Sequence, residues 1–145
     1  MKTIYYSHAM EKLRTLEESK LRGVIFEQKV GKQFKVYHPE DHQACWKYQK
    51  KEDCNLIIKC DIMVIDMFNI GAETEHGHVR GEGTNAEMGF MFALNKIRSK
   101  KVPIVIIMPQ RKHYPPFRVV DTWENYGVTK ICYSIEEASK YVRKL

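Results

Sequence analysis

The chain has 145 residues, 43% of them hydrophobic, which suits one compact domain with a real core and leaves little room for a second. Its 24 Lys and Arg against 18 Asp and Glu give a net charge of +6, so an anionic partner or substrate has to be weighed from the start. Eight Gly, five Pro and four Cys among abundant apolar residues exclude collagen-like, disordered and disulfide-scaffold classes.

Thr3 to Ser7 reads as a first strand. No signal peptide is expected before it, and apolar runs such as 62–65 and 104–108 are strand-sized. A soluble, cytoplasmic chain with no membrane partner is expected. Glu11 to about Gln28 carries Leu13, Leu16, Leu21, Val24 and Ile25 near helical spacing. Phe34 to Tyr37 is a short second strand ended by His38-Pro39-Glu40-Asp41, a turn context in which His38 and His42 are ordinary solvated residues. Lys47 to Lys59 forms the next helix, with Leu56, Ile57 and Cys60 on its apolar side, and feeds the buried strand Asp61 to Met67.

Residues 69–81 are polar and glycine-bearing and read as a loop. Thr84 opens an apolar helix over Asn85 to Asn95, expected to be buried because it is apolar all round. Val102 to Met108 is a central strand stopped by Pro109, and Lys130 to Tyr133 a shorter last one. Ser134, with Glu137 three residues on, predicts a capping box for the closing helix to Leu145. Strand and helix alternate throughout. That order predicts a single α/β domain over 1–145, a Rossmann-like or flavodoxin-like three-layer sandwich with a mostly parallel sheet of about five strands. Cys45, Cys54, Cys60 and Cys132 form no Cys-x-x-Cys pair, so reduced, mostly buried thiols are expected.

In such a sheet ligands bind beyond the carboxyl ends of the strands. The densest signal there is Gly81-Glu82-Gly83-Thr84-Asn85-Ala86-Glu87-Met88-Gly89. Gly83 lets backbone approach a ligand, and Thr84 or Asn85 is the expected cap of a helix whose free N–H groups lie nearby. Glu87 is expected in the first turn, facing solvent or the crevice. No Gly-Lys-Ser/Thr follows, so this is not a phosphate-cradling Walker loop. Asp66, at the end of its strand, is a further crevice candidate.

Taken in order, several stretches resemble the nucleoside 2-deoxyribosyltransferase superfamily, including its 2′-deoxynucleoside 5′-phosphate N-hydrolase branch. They are Ile4-Tyr5-Tyr6-Ser7, Asp53 followed eight residues later by Asp61-Ile62-Met63-Val64-Ile65-Asp66, Gly83 to Gly89, Ala93 to Lys96, and Ile106-Ile107-Met108-Pro109-Gln110. The resemblance implies that Glu87 is the nucleophile attacking the anomeric carbon of a (deoxy)ribose, giving a glycosyl-enzyme intermediate that water or a second base resolves. It implies that Asp53 binds the sugar or moves a proton to the leaving base, and that Tyr5 orients the nucleophile. Tyr6, on the opposite face of the strand, is then core. Ser7 and His8 fall in the first crossover loop, where the family contacts sugar or phosphate. No cofactor and no metal is implied, and the partner expected besides a small nucleoside or nucleotide is another copy of the chain, in a homo-oligomer of two or more.

There are departures. Phosphate-handling relatives present Ser and Arg in the first loop, a Ser six residues before the nucleophile and a later Ser; here Ala9-Met10, Gly81 and Pro116 stand in those places. His8, Lys12, Arg14 or the Arg111-Lys112-His113 cluster would have to replace them. Asn69 to Arg80 is about ten residues longer than the family's connection, and its Glu73, Glu75, His76 and His78 lack the spacing of a metal site. Two other functions stay open: a non-catalytic nucleotide-binding or sensing module, and an NAD-type N-glycoside hydrolase using Glu87. Nucleic-acid binding ranks last, because Lys96, Arg98, Lys100 and Lys101 read as a solvated basic loop and no recognition motif appears. Tyr114 to Phe117 and Trp123 are candidate interface aromatics. Within 60–95 six acids face the single base Arg80, so that stretch carries −5 and the rest of the chain +11. An acidic reaction centre inside a basic surround suits carboxylate chemistry on a sugar better than a nucleic-acid groove.

Overall fold

The structure is a computed structural model that describes residues 1–9, 13–39, 46–74, 77–79, 81–109 and 124–145. Lys12, residues 40–45, Glu75, His76, Arg80 and residues 110–123, with the Arg111-Lys112-His113 cluster and the candidate interface aromatics, lie outside them. The elements run β1 Lys2–His8, α1 Leu13–Val30, β2 Phe34–Tyr37, α2 Trp46–Lys59, β3 Ile62–Asp66, β4 Glu73–Thr74, β5 Gly77–His78, α3 Glu82–Ile97, β6 Ile104–Ile107, β7 Lys130–Cys132 and α4 Ile135–Val142.

Five strands form one parallel sheet in the order β2-β1-β3-β6-β7. The chain leaves β1 outward to β2 and returns across it to β3. That reversal puts α1 and α2 on opposite faces and opens a crevice at the carboxyl ends of β1 and β3. Because both faces are covered, the inner strands are apolar on both sides. Tyr5, Met63, Ile65, Ile104 and Ile106 face α2 and α3, whereas Ile4, Tyr6, Ile62, Val64, Val105 and Ile107 face α1 and α4.

The sandwich follows the sequence pattern, and two helices, α1 and α3, differ from it in detail. Among the α1 residues whose burial is described, the buried positions are Ser19, Gly23, Phe26 and Val30, while Leu21 and Val24 are exposed. At Gly23 the helix seats directly on rings and leaves no room for a side chain: a Cβ there would lie 3.0 Å from His38 Nδ1 and 3.5 Å from Tyr6 Cδ1. His38 is accordingly buried, with Nε2 3.1 Å from Glu27 Oε2, and is not the solvated turn residue expected. In α3 only one face is buried, through Thr84, Met88, Met91 and Phe92, and Gly89 and Ala93 are exposed despite their apolar neighbours. The capping box of α4 forms as read: Ser134 Oγ accepts from Glu137 N–H at 3.1 Å. The Glu137 carboxylate reaches Tyr133 N–H, one residue before the cap, at 2.9 Å. The 69–81 connection contains a two-residue hairpin, β4 with β5, that no alternation announced. Among the described residues no helix is long and apolar enough to cross a membrane. Cys60 and Cys132 are buried thiols, but Cys54 is exposed.

Candidate active site

Side chains alternate along β1, so Tyr5 and Ser7 leave one face and Tyr6 the other. β1 runs through His8, so Ser7 and His8 end the strand and do not sit in a crossover loop. Both hydroxyls on the α3 side converge on one carboxylate: Tyr5 Oη donates to Glu87 Oε1 at 2.9 Å and Ser7 Oγ donates to Glu87 Oε2. Ser7 is thereby committed to orienting Glu87 and is not among the groups that face the crevice.

Glu87 reaches this position because α3 starts earlier than its composition suggests. Gly81, in the left-handed region at φ 65°, is the N-cap and offers no side chain. Asn85 N–H bonds back to Gly81 O at 2.9 Å. Thr84 and Asn85 are therefore inside the helix and do not cap it, and Glu87 is a second-turn residue. A left-handed start needs glycine twice over here: the positive φ disfavours a side chain, and a Cβ would lie 2.4 Å from Ile70 Cδ1.

Beside Glu87 lies a cavity of about 620 Å³, walled on the apolar side by Ala9, Pro39, Ile57, Ala86 and Phe90. Its polar lining is His8, Asp53, Cys54, Glu82, Thr84 and Glu87. Asp53 is 6% exposed in a Lys-rich helix stretch, because it shares the face of Ile57 and Cys60 that packs under the sheet. Burial pushes the Glu87 carboxyl up to about 7; the Ser7 and Tyr5 hydroxyls oppose the rise, Asp53 adds to it and His8 reduces it. Tyr5 is raised well above the usual phenol range, first by burial and then by the charges of Glu87 and Asp53, so it acts only as a donor.

The structure thus brings Glu87, Asp53, His8, Gly83 and Thr84 together along the crevice, with Tyr5 and Ser7 behind Glu87 as donors to its carboxylate. It separates two expected members. Asn85 is exposed on α3 and does not line the cavity. Asp66 points to the α1 face, where Oδ2 accepts Tyr6 Oη at 2.7 Å and Arg22 Nε at 2.7 Å, and Oδ1 accepts Arg22 Nη2 and Phe68 N–H, both at 3.1 Å. That carboxylate fastens the strand end to α1 and leaves no lone pair for a ligand in the crevice. Sequence reading missed Ile57, Phe90 and Cys54 as cavity walls; the spacing 53, 57, 60 on α2 was the signal for the first. No group of three or more His, Cys, Asp or Glu among the described residues is arranged to hold a metal ion.

Solved structures with this architecture span nearly the whole chain. A conserved protein from Enterococcus faecalis V583 superposes with TM-score 0.72 at 15% identity, covering 99% of this chain and 98% of that one. A 2-deoxyribosyltransferase from Bacillus psychrosaccharolyticus gives 0.63 at 15% identity, over 96% of this chain and 91% of that one. The CMP N-glycosidase BcmB of Clostridium botulinum gives 0.58 at 14% identity, over 97% of both. The chain shares their fold. The sequence matches no family profile and no curated protein. At such identities a shared fold carries no chemistry by itself, and activity has to be argued from the site.

Proposed function

We propose that this chain is a cytoplasmic, homo-oligomeric enzyme of the nucleoside 2-deoxyribosyltransferase type that cleaves the N-glycosidic bond of a nucleoside or nucleoside 5′-monophosphate. The observation that carries the reading is Glu87 on the cavity wall, with both carboxylate oxygens held by donors from β1. Two fixed donors leave the carboxylate one orientation and keep it ionisable near neutrality despite its burial. An N-glycosidase and a 2-deoxyribosyltransferase share this fold, so the architecture is compatible with that chemistry.

In this mechanism an oxygen of Glu87 bonds to C1′ as the C1′–N bond breaks, and the bond pair leaves with the base. Asp53, beside Glu87 in the cavity, holds a sugar hydroxyl and enters the cycle as the carboxylic acid, passing that proton to the departing base. Water then attacks C1′, its proton returning to Asp53, and Glu87 leaves as carboxylate; a second base in place of water gives transfer. Tyr5 and Ser7 stabilise the carboxylate when it is free and its developing charge when it departs. The products of hydrolysis are one free base and one sugar per water consumed.

The test is incubation with nucleosides, their 5′-monophosphates and NAD, with and without acceptor bases, followed by liquid chromatography. Base release from at least one nucleoside or monophosphate is expected, with Glu87→Ala and Glu87→Gln lowering it by at least a thousandfold. Full activity in both variants would remove Glu87 from the mechanism. Nicotinamide release alone would move the reading to NAD, and binding without release would make the chain a sensor.

A further inference from the structure

Thr84 is 3% exposed on the cavity wall, and its Oγ1, sealed from solvent, has no hydrogen-bond partner. Helical Thr ordinarily satisfies its hydroxyl on a carbonyl one turn back, so an orphan here is a standing cost. A valine has nearly the same shape without that cost. A hydroxyl kept where an apolar isostere fits is explained by a ligand that completes it. Rotation about χ1 exchanges hydroxyl and methyl, and Thr in helices populates two such rotamers, so the oxygen can turn to a molecule in the cavity.

Position defines what that molecule presents. Thr84 precedes Glu87 by three residues on α3, so the two side chains are neighbours about 4.5 Å apart along the axis. That is the span of a furanose ring. A sugar whose C1′ faces Glu87 lays its hydroxyl-bearing edge over Thr84. Gly83 leaves the approach open, since a Cβ there would meet nothing within 4 Å. Charge selects the substrate further. Asp53, Glu82 and Glu87 all line the cavity, and among its described lining residues His8 is the one group able to carry positive charge. A phosphate placed there meets repulsion, whereas a neutral hydroxyl does not.

We infer that Thr84 is a specificity-determining residue whose hydroxyl binds a sugar hydroxyl of an uncharged nucleoside, an inference that rests on the N-glycosidic reading above. The test uses Glu87→Gln protein, so that bound nucleoside is not consumed, with Thr84→Val or Thr84→Ser added. Adenosine, cytidine, their 2′-deoxy forms and the four 5′-monophosphates are titrated calorimetrically. Thr84→Val is expected to weaken the tightest nucleoside roughly tenfold, a lost hydrogen bond to a buried group. Thr84→Ser should stay within about threefold, and no monophosphate should bind tighter than its nucleoside. Without ligand, Thr84→Val should melt no lower than its parent, because it deletes an unsatisfied group. Unchanged affinity in Thr84→Val, or a clearly lower melting temperature, overturns the role of the hydroxyl; tighter monophosphates overturn the uncharged substrate. Weakened binding in a protein that releases no base keeps this inference and removes catalysis, while base release indifferent to Thr84 does the reverse. A panel in which nothing binds overturns both.

Discussion

Glu87 is where burial and hydrogen bonding oppose each other most directly. Its carboxyl sits near 7 in the folded chain against an ordinary 4.5, so its protonated form is the one folding favours. The sign follows from linkage: that contribution to stability is complete below about 4.5 and is lost as the pH rises to about 7. A tenfold difference in proton affinity between the folded and unfolded chain corresponds to about 1.4 kcal/mol, so Glu87→Gln should gain on the parent by roughly 2–3 kcal/mol between about pH 4.5 and about pH 8. Urea unfolding at both pH values measures the difference, and an equal offset at both would show a solvated Glu87. Tyr5→Phe removes one of the two donors that pull this carboxyl down. The acid limb of kcat/KM should then move to higher pH by about half a unit to one unit, with a fall in kcat of about 10–100-fold. A pH–rate profile reads both.

Asp53 shows how far the sequence was legible at this scale. Its neighbours Lys50, Lys51 and Glu52 describe a solvated segment, yet every fourth or third residue from Asp53 leads to Ile57 and Cys60 and into the core. Periodicity carried that information, and composition hid it. Asp66 is the opposite case. Its partner Arg22 lies 44 residues away on α1, and no local pattern links the two. His38 misleads for the same reason: the ring is buried by α1 packing on it, not by anything in its own turn.

Among elements, the alternation of strand and helix along the chain was readable because apolar runs and turn residues alternate cleanly, but the order of strands in the sheet and the ends of elements were not. The start of α3 was set two or three residues late, since Thr and Asn are the expected caps and a left-handed glycine has no side-chain signature. Gly81 holds two constraints, and substitution separates them. Gly81→Ala should lower stability by about 1–3 kcal/mol, one part from the positive φ and the other from pushing Ile70 aside. Adding Ile70→Ala should relieve the second part only. A thermodynamic cycle in which the two losses simply add would mean that Ile70 already yields to the new methyl. Base release should fall along with stability in Gly81→Ala, because the helix start carries Glu87.

Over the whole molecule the parallel sheet divides labour between its faces. One apolar layer, under α2 and α3, supports the cavity; among the described residues, none of those that line the cavity belongs to the other, under α1 and α4. Ile107 is fully buried in the second layer. Ile107→Ala should therefore cost about 2–5 kcal/mol in denaturant unfolding while leaving kcat/KM at about 25 °C within about twofold. A large kinetic loss in folded protein would mean that the two faces are coupled through the strands. The acidic 60–95 stretch also has a concrete place here: Asp61 accepts from Thr3 N–H and hydroxyl at the far end of the strands, held below the usual range by those bonds, and Asp66 is neutralised by Arg22. Among the described residues, the acids that line the crevice are Glu82 and Glu87 from that stretch, joined by Asp53 from α2.

Two adjacent tyrosines of β1 reach in opposite directions to two acids, Tyr6 to Asp66 and Tyr5 to Glu87, and these acids bracket the long connection between β3 and α3. Both ends of that connection are therefore moored to the same strand. Its length is free to vary between the moorings, because lengthening a loop whose ends are already fixed costs only a slowly growing entropy. A lineage built on this scaffold can lengthen, trim or exchange the hairpin segment, and with it whatever the segment meets, while the carboxylate stays in register with its donors.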